Sequence, residues 1–460
     1  MGEIDSRRLH QPRVPFTVRY KGAACGVMIT ASHNPKQDNG YKVYWENAVQ
    51  IIEPHDRGIS ASIREHLEPQ ALDLNGLTRS PLLRSFDDSA YFQYIQSLCH
   101  YRSLNEQTPL KFVNTSMHGV SDSAMTKAFA LFGLPKYIPV VEQQKPDPEF
   151  PTVKFPNPEE KGALDLAIET ANGVGGDYVL AQDPDSDRFA AAERGPGGKW
   201  IQFTGDQLGT LFASACLDKH KASGKPISKL AMVASTVSSK MIEAIAHAEG
   251  FKFVECLTGF KYIGNTALTL EKDGYEVPFG YEEAIGFMFG SQLRDKDGVA
   301  ASVSQSSLRS PPLIAVAAQT SNSYFICTEP AIINRIFARL RNFDGQAGSS
   351  GTPNYPKSIA GLEVTRVRDL TVGYDSGNPP SYKPTLPLSS GHMIQFRAEN
   401  KADGMRITLT TRTSGTEPKI KYYLEGSGKD AFAVGKLLRE VVQELSDVWM
   451  EADKNGLGKP

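Results

Sequence analysis

At 460 residues, with 40% hydrophobic and 22% charged side chains, the chain has room for three or four globular domains with substantial cores. A formal net charge of −2 gives no basic surface for nucleic acid or an anionic membrane, and no apolar run approaches the roughly 18 residues of a membrane-spanning helix. Five scattered cysteines without CxxC or Cys/His spacing fit a reduced, cytoplasmic compartment and argue against a disulfide scaffold or a zinc site.

The first domain is assigned to residues 1–105. Its apolar run 23–29 predicts a buried strand emptying into the polar turn Thr30-Ala31-Ser32-His33-Asn34-Pro35. Pro35 biases Asn34 toward extended backbone, so the turn is stiff. Ser32 then sits at the carboxyl end of a strand, where open α/β sheets hold ligands, and Lys42 follows closely enough to return to the same pocket. A plain Ser/Asn/Pro connection is the alternative. Residues 43–45 continue as a strand and 89–98 as a helix. The second domain, 106–222, has a strand over 111–115 ending at Ser116-Met117-His118-Gly119, helices over 124–132 and 160–171, and a strand over 178–181 that runs into Asp183. The third, 223–343, repeats the design with strands over 231–235, 251–256 and 275–279. Its stretch 302–323 holds seven serines and Pro311-Pro312 without helical periodicity, and reads as a linker or insertion. The fourth, 344–460, has strands over 393–397, 406–410 and 420–424, then a helix over 430–449 with Val434, Leu437, Leu438, Val441, Leu445 and Val448 on one face. The expected fold is α/β: three similar α/β domains with mixed, mostly parallel sheets plus a C-terminal α+β domain around a central cleft.

Three motifs offer chemistry. Asp183, Asp185 and Asp187 alternate directly after a strand. Three converging carboxylates repel one another unless a cation sits between them, and all-oxygen ligation suits Mg²⁺ or another hard ion. An EF-hand would need Gly where Arg188 stands and Glu where Arg194 stands, so that reading fails. An aspartyl-phosphate loop would need Thr or Val in place of Asp187. Glu282 and Glu283 are adjacent; extended backbone turns them to opposite sides, so one of them leads into a pocket as an acceptor for sugar hydroxyls. Residues 412–419 combine Arg412, Thr413, Ser414, Gly415, Thr416 and Lys419 into a phosphate cradle that is not a Walker A loop. A solvated acidic turn, an exposed turn and a hairpin loop are the respective alternatives. No Gly-x-Ser-x-Gly elbow surrounds Ser32, which argues against an α/β-hydrolase. Phosphoryl transfer to and from Ser32 on a phosphosugar uses every piece.

In this order the motifs resemble the α-D-phosphohexomutase superfamily, close to its phosphoglucomutase-2/phosphopentomutase branch. Residues 30–35 resemble its phosphoserine loop, 183–188 its DxDxDR metal loop, and 258–261, with Thr258, Gly259 and Lys261, its specificity loop. Glu282-Glu283 with 284–287 resembles its sugar-binding loop, and 412–419 its RxSGTEPK loop. The resemblance implies a phosphoserine at Ser32, one Mg²⁺ per chain held by Asp183, Asp185, Asp187 and a Ser32 phosphoryl oxygen, and a bisphosphate intermediate that turns over in the cleft. It implies that Lys42 moves a proton to or from the sugar hydroxyl, which as a base would need a pKa lowered by neighbouring cations. His33 and His118 become supporting groups, with a structural histidine the alternative for either. Arg188, Thr258, Gly259, Lys261, Glu282 and Glu283 fall to the substrate, and Arg412, Ser414, Gly415, Thr416 and Lys419 to its phosphate.

The implied activity is Mg²⁺-dependent intramolecular phosphotransfer between a sugar 1-phosphate and 6-phosphate, or a pentose 1- and 5-phosphate. Glucose 1,6-bisphosphate or a similar sugar bisphosphate is the implied activator. The implied enzyme is a cytoplasmic monomer acting on a small phosphosugar, with no nucleic-acid or membrane partner. The alternatives are a glucose-1,6-bisphosphate synthase on the same scaffold or an inactive, truncated phosphosugar-binding remnant. The chain departs from the family pattern twice. The GTxGxR-like segment of a longer first domain does not occur, which leaves that domain incomplete and predicts exposed edges or apolar surface. After Val299 the Ser-rich text stands where the family continues into a helix.

Overall fold

The computed structural model describes residues 10–68, 71, 76, 79–81, 87–307, 317–343, 353–414 and 418–459. They form two compact units, Met1–Thr236 with Ile242–Arg309, and Val237–Met241 with Ser310–Pro460.

The first unit opens on helix α1 (Arg13–Lys21), which lies on the antiparallel hairpin β1 (Cys25–Ile29) and β2 (Tyr41–Trp45), with Ile29 opposite Tyr41. Gly26 admits this packing, since a Cβ there would lie 2.6 Å from Val18. The other face of the hairpin stays open: Val27 is 54% and Ile29 74% exposed. The strand forms as its sequence predicts but is not the buried strand expected. Among the described residues two strands pair here, and helix α1 covers one face of them. Helix α2 (His55–Glu65) follows and buries none of its residues.

After α3 (Ser89–Ser97) comes a five-stranded sheet built from β3 (Phe112–Thr115), α4 (Asp122–Phe132), β4 (Ile138–Pro139), α5 (Asp165–Val174), β5 (Tyr178–Gln182), β6 (Phe189–Arg194) and β7 (Trp200–Gln202). Its order is β4-β3-β5-β6-β7, with β3 parallel to both neighbours and β6 and β7 antiparallel. Helix α5 begins later than the expected 160–171 because Gly162, at φ +83°, turns the chain left-handed ahead of it. The next sheet follows α6 (Gly205–Ala222) and contains β8 (Leu230–Ser235), α7 (Met241–Glu249), β9 (Lys252–Cys256), α8 (Phe260–Lys272), β10 (Glu276–Glu282) and β11 (Gly286–Phe289). Its order is β11-β10-β8-β9, with parallel β10, β8 and β9 and an antiparallel β11. One apolar core joins the two sheets, running from Phe112, Phe129 and Phe189 to Phe212, Phe279 and Phe289.

The Ser-rich stretch is not a linker throughout. Its first residues complete helix α9 (Gly298–Ser307), whose Val299, Ala300, Ala301 and Val303 are buried in that same core. The serines are buried by closing on their own helix: Ser302 Oγ donates to the Gly298 carbonyl (2.6 Å) and Ser306 Oγ to the Ser302 carbonyl (2.8 Å). Residues 308–316 lie outside the described residues.

In the second unit β12 (Ala317–Thr320), β13 (Ser323–Ile326), α10 (Pro330–Leu340), β14 (Ser358–Ile359), β15 (Leu362–Asp369), β16 (Tyr374–Asp375), β17 (Met393–Asn400), β18 (Met405–Thr413), β19 (Lys419–Gly428) and α11 (Ala431–Glu444) make an antiparallel sheet of order β12-β19-β18-β17-β15-β14. Phe396, Leu409 and Leu424 on one sheet face meet Phe337 of α10 and Val434, Leu438 and Val441 of α11. The helix expected to run to 449 widens into a π-turn over Leu445–Trp449. That turn changes the register, so Trp449 is buried and Val448 is exposed.

Candidate active site

Ser32 stands at φ +57°, a left-handed conformation uncommon for a side-chain-bearing residue. Local polar groups hold it there. The Ser32 N–H donates to Thr30 Oγ1 (2.8 Å), and Thr30 Oγ1 donates to Asp185 Oδ2 (2.9 Å). The Ser32 hydroxyl lies 3.3 Å from His33 Nδ1 and 3.4 Å from Asp183 Oδ2. Burial, reinforced by the cations Arg188, Lys296 and Lys42, pushes the His33 imidazole down to about 2, so it is neutral. Its Nδ1 lies within hydrogen-bond distance of the Ser32 hydroxyl, which donates to Asp183 Oδ2.

The acidic loop leaves β5 as the sequence predicts. Gly119 backs onto it so closely that a Cβ would lie 2.4 Å from the Pro184 backbone. The carboxylates of Asp183, Asp185 and Asp187 are buried, with ligand atoms all within 4.8 Å of one another. Burial and the two neighbouring acids raise the Asp183 carboxyl well above its ordinary value. At Asp187 burial works the same way, but Lys296, Lys42 and Arg188 outweigh it and hold the group ionised. Asp185 and Asp187 each give Oδ2 to protein donors and keep a buried Oδ1 that accepts no hydrogen bond. A buried, all-oxygen set with two such atoms fits Mg²⁺.

Lys42 returns from β2 as expected, with Nζ 3.0 Å from Asp185 and 2.6 Å from Asp187. Its pKa moves in the direction opposite to the expectation. Burial disfavours the ammonium, yet Asp185, Asp187 and Asp295 outweigh burial and hold it charged. The nearest charges are carboxylates rather than cations.

Arg188 ties the acidic loop to the sugar-loop candidate, with NH1 donating to the Ala284 carbonyl (2.5 Å) and NH2 3.8 Å from Glu282. The two glutamates diverge as extended backbone requires: Glu282 faces Arg188, while Glu283 Oε2 accepts from Ser235 Oγ (2.9 Å). Burial raises the Glu282 carboxyl, and Arg188 and Lys296 oppose it. Thr258 and Gly259 (φ +111°) lead into α8, with Thr258 Oγ1 buried and without a hydrogen bond. Lys261 Nζ instead lies 5.2 Å over the Tyr262 ring. His118 is buried with its Nε2 2.8 Å from Thr152 Oγ1, so its ring is engaged by loop 145–158.

In the second unit Arg412 NH2 donates to Tyr423 Oη (2.9 Å), the Ser414 N–H donates to the Lys419 carbonyl (2.9 Å), and Lys419 Nζ sits 4.0 Å over the Tyr324 ring. Gly415 and Thr416 lie outside the described residues.

Sequence reasoning missed Lys296. Its Nζ lies 3.1 Å from Asp187 and 5.3 Å over the Phe260 ring, which brings the 258–261 loop against the same cluster. The sequence offers only the charge run Asp295-Lys296-Asp297, which by itself does not tie Lys296 to Asp187.

Three family models match the chain: phosphoglucomutase/phosphomannomutase α/β/α domain I over residues 3–70, domain II over 89–197 and domain III over 204–310. The chain is 44% identical to human phosphopentomutase over 97% of its own length and 76% of the relative's. It is 43% identical to the probable phosphoribomutase of Schizosaccharomyces pombe (98% and 79%) and 42% identical to human glucose 1,6-bisphosphate synthase (98% and 75%). Among solved structures, the putative phosphomannomutase of Thermus thermophilus superposes with a TM-score of 0.66 at 19% identity, covering 96% of this chain and 83% of that one, a likeness of fold.

Proposed function

This chain belongs to the α-D-phosphohexomutase superfamily, in its phosphoglucomutase-2/phosphopentomutase branch, and we propose that it works as a phosphosugar mutase through a phosphoserine at Ser32. The observation that carries the reading is the placement of the Ser32 hydroxyl against Asp183 and His33, with Lys42 beside it on Asp185 and Asp187. In the forward half-reaction the Ser32 oxygen–phosphorus bond breaks and a sugar hydroxyl takes the phosphoryl group, giving a bisphosphate. In the return half the other phosphate passes to Ser32. Lys42, held as an ammonium, gives its proton to the departing sugar oxygen in the return half and takes up the one that Ser32 Oγ releases; in the forward half the same relay runs the other way, the sugar hydroxyl's proton ending on Ser32 Oγ. Neutral His33 contacts the Ser32 hydroxyl through Nδ1 and keeps that oxygen aimed. Asp183, Asp185 and Asp187, with a phosphoryl oxygen of Ser32, would hold Mg²⁺, whose charge offsets that developing on the transferred group. Arg188 and Glu282 are proposed to orient the sugar, and Arg412, Ser414 and Lys419 are proposed as phosphate ligands. The four domains assigned from sequence remain part of this proposal.

Relatives of two activities stand at nearly the same identity, so the phosphoryl donor is the second question. Parallel kinetics on ribose 1-phosphate and glucose 1-phosphate, each with Mg²⁺ and a sugar bisphosphate, test the mutase reading. We expect isomerisation, with ribose 1-phosphate preferred. Turnover that appears only with 1,3-bisphosphoglycerate would assign the synthase reaction instead, and inertness toward both sugars would reduce the chain to a phosphosugar-binding protein.

A further inference from the structure

Behind the lysines lies a buried polar node that none of the sequence motifs includes. Asp295 is 1% exposed and precedes Lys296 in the loop between β11 and α9. Its Oδ2 gathers three donors from the N-terminal segment: Tyr44 Oη (2.9 Å), Gln11 Nε2 (3.1 Å) and Gln50 Nε2 (3.2 Å). Gln11 Nε2 also donates to Tyr44 Oη, and the Gln11 N–H donates to the Asp185 carbonyl (2.8 Å). Oδ1 faces the other way, accepting the Lys296 N–H at 2.8 Å and lying 3.8 Å from Lys296 Nζ.

Tyr44 sits two residues after Lys42 on β2, so the two side chains share one face of the strand. One carboxylate therefore grips the strand that carries Lys42 and, through its own backbone, the lysine that meets Lys42 on Asp187. We propose that Asp295 is a positioning residue for phosphoryl transfer, fixing Lys42 and Lys296 so that both ammoniums converge on Asp187 Oδ2. Asp187 Oδ1 is thereby left turned away from both lysines. The inference rests on the mutase reading. It adds that the hairpin bearing the Ser32 loop and the loop ahead of α9 are set by this single acceptor.

Tyr44→Phe, which removes one oxygen, and Asp295→Asn, which removes the charge, are the informative variants. Two readouts are taken on the intact chain. The first is steady-state kcat and KM. The second is the rate at which Lys296 is acetylated by acetic anhydride, followed by peptide mass spectrometry and independent of turnover. Both variants are expected to lose about tenfold in kcat with KM within twofold, since small misplacements of reacting groups are felt in the rate. Lys296 labelling rises severalfold in each, and the double variant falls no further than Asp295→Asn alone. Unchanged Lys296 labelling in Tyr44→Phe overturns the proposal, as does a loss confined to KM. If the wild type proves inactive the mutase reading fails, and the labelling still decides the positioning claim. Should Asp295→Asn not fold, Tyr44→Phe decides both arms.

Discussion

Asp187 divides its oxygens, giving Oδ2 to Lys42 and Lys296 while Oδ1 accepts no hydrogen bond. Such divided side chains mark the boundary of what sequence could tell. Ser32, the three aspartates and the Glu282-Glu283 split were legible because each rests on spacing within a few residues. Lys296 and Asp295 were not, because their partners come from residues 11, 44, 50 and 187, brought together by the fold alone. The direction of the Lys42 shift failed for the same reason. Asp297 gives a prediction at this scale. It accepts from Tyr91 Oη (2.8 Å) and the Ala300 N–H (2.9 Å), and burial, with Asp187 adding to it, pushes its carboxyl up to about 6. Its folded-state pKa is above the unfolded value, so its contribution is fully present below about pH 4 and is lost as pH rises through about 6. The loss is on the order of 3 kcal/mol. In urea titrations at stepped pH, Asp297→Asn is expected to flatten the stability profile between those values; a profile parallel to wild type would contradict the assignment.

Helix α9 shows how an element can hide. Serines count as polar in any periodicity, yet in a buried helix they bond back to their own carbonyls and then pack as small residues. The helix also serves the site: the Gly298 N–H donates to the Ser186 carbonyl (3.1 Å), and a Cβ at Gly298 would lie 2.3 Å from the Arg188 carbonyl oxygen. The neighbour is backbone of the acidic loop, so it must shift. Gly298→Ala is expected to cost about 1–3 kcal/mol in urea unfolding. It should also raise the Mg²⁺ concentration needed for half-maximal activity. A variant with unchanged Mg²⁺ dependence would show that α9 does not set the loop. The strand β1 teaches the converse. Its apolar pattern predicted both a strand and burial, but burial also needs a layer on each face, which five residues cannot encode.

Across the whole molecule, the α/β alternation of the first unit and the antiparallel sheet with helices in the second were readable from period and punctuation. What composition could not show is that the two sheets of the first unit close on one aromatic core, with Phe212 edge-on to Phe287 and Phe289 at 5.0 and 5.1 Å. That shared core fixes the acidic loop of one sheet against the glutamate loop of the other, through the Phe189 N–H on the Ile285 carbonyl (3.0 Å). The chain is a phosphosugar mutase by family, and the central claim is that Ser32 carries the phosphoryl group. The direct measurement is peptide mass spectrometry after incubation with glucose 1,6-bisphosphate and Mg²⁺, run beside Ser32→Ala. A single phosphoryl group is expected on Ser32, discharged by added sugar monophosphate, with neither phosphorylation nor turnover in Ser32→Ala. Phosphate on another residue, or a Ser32→Ala protein that keeps its activity, would contradict it.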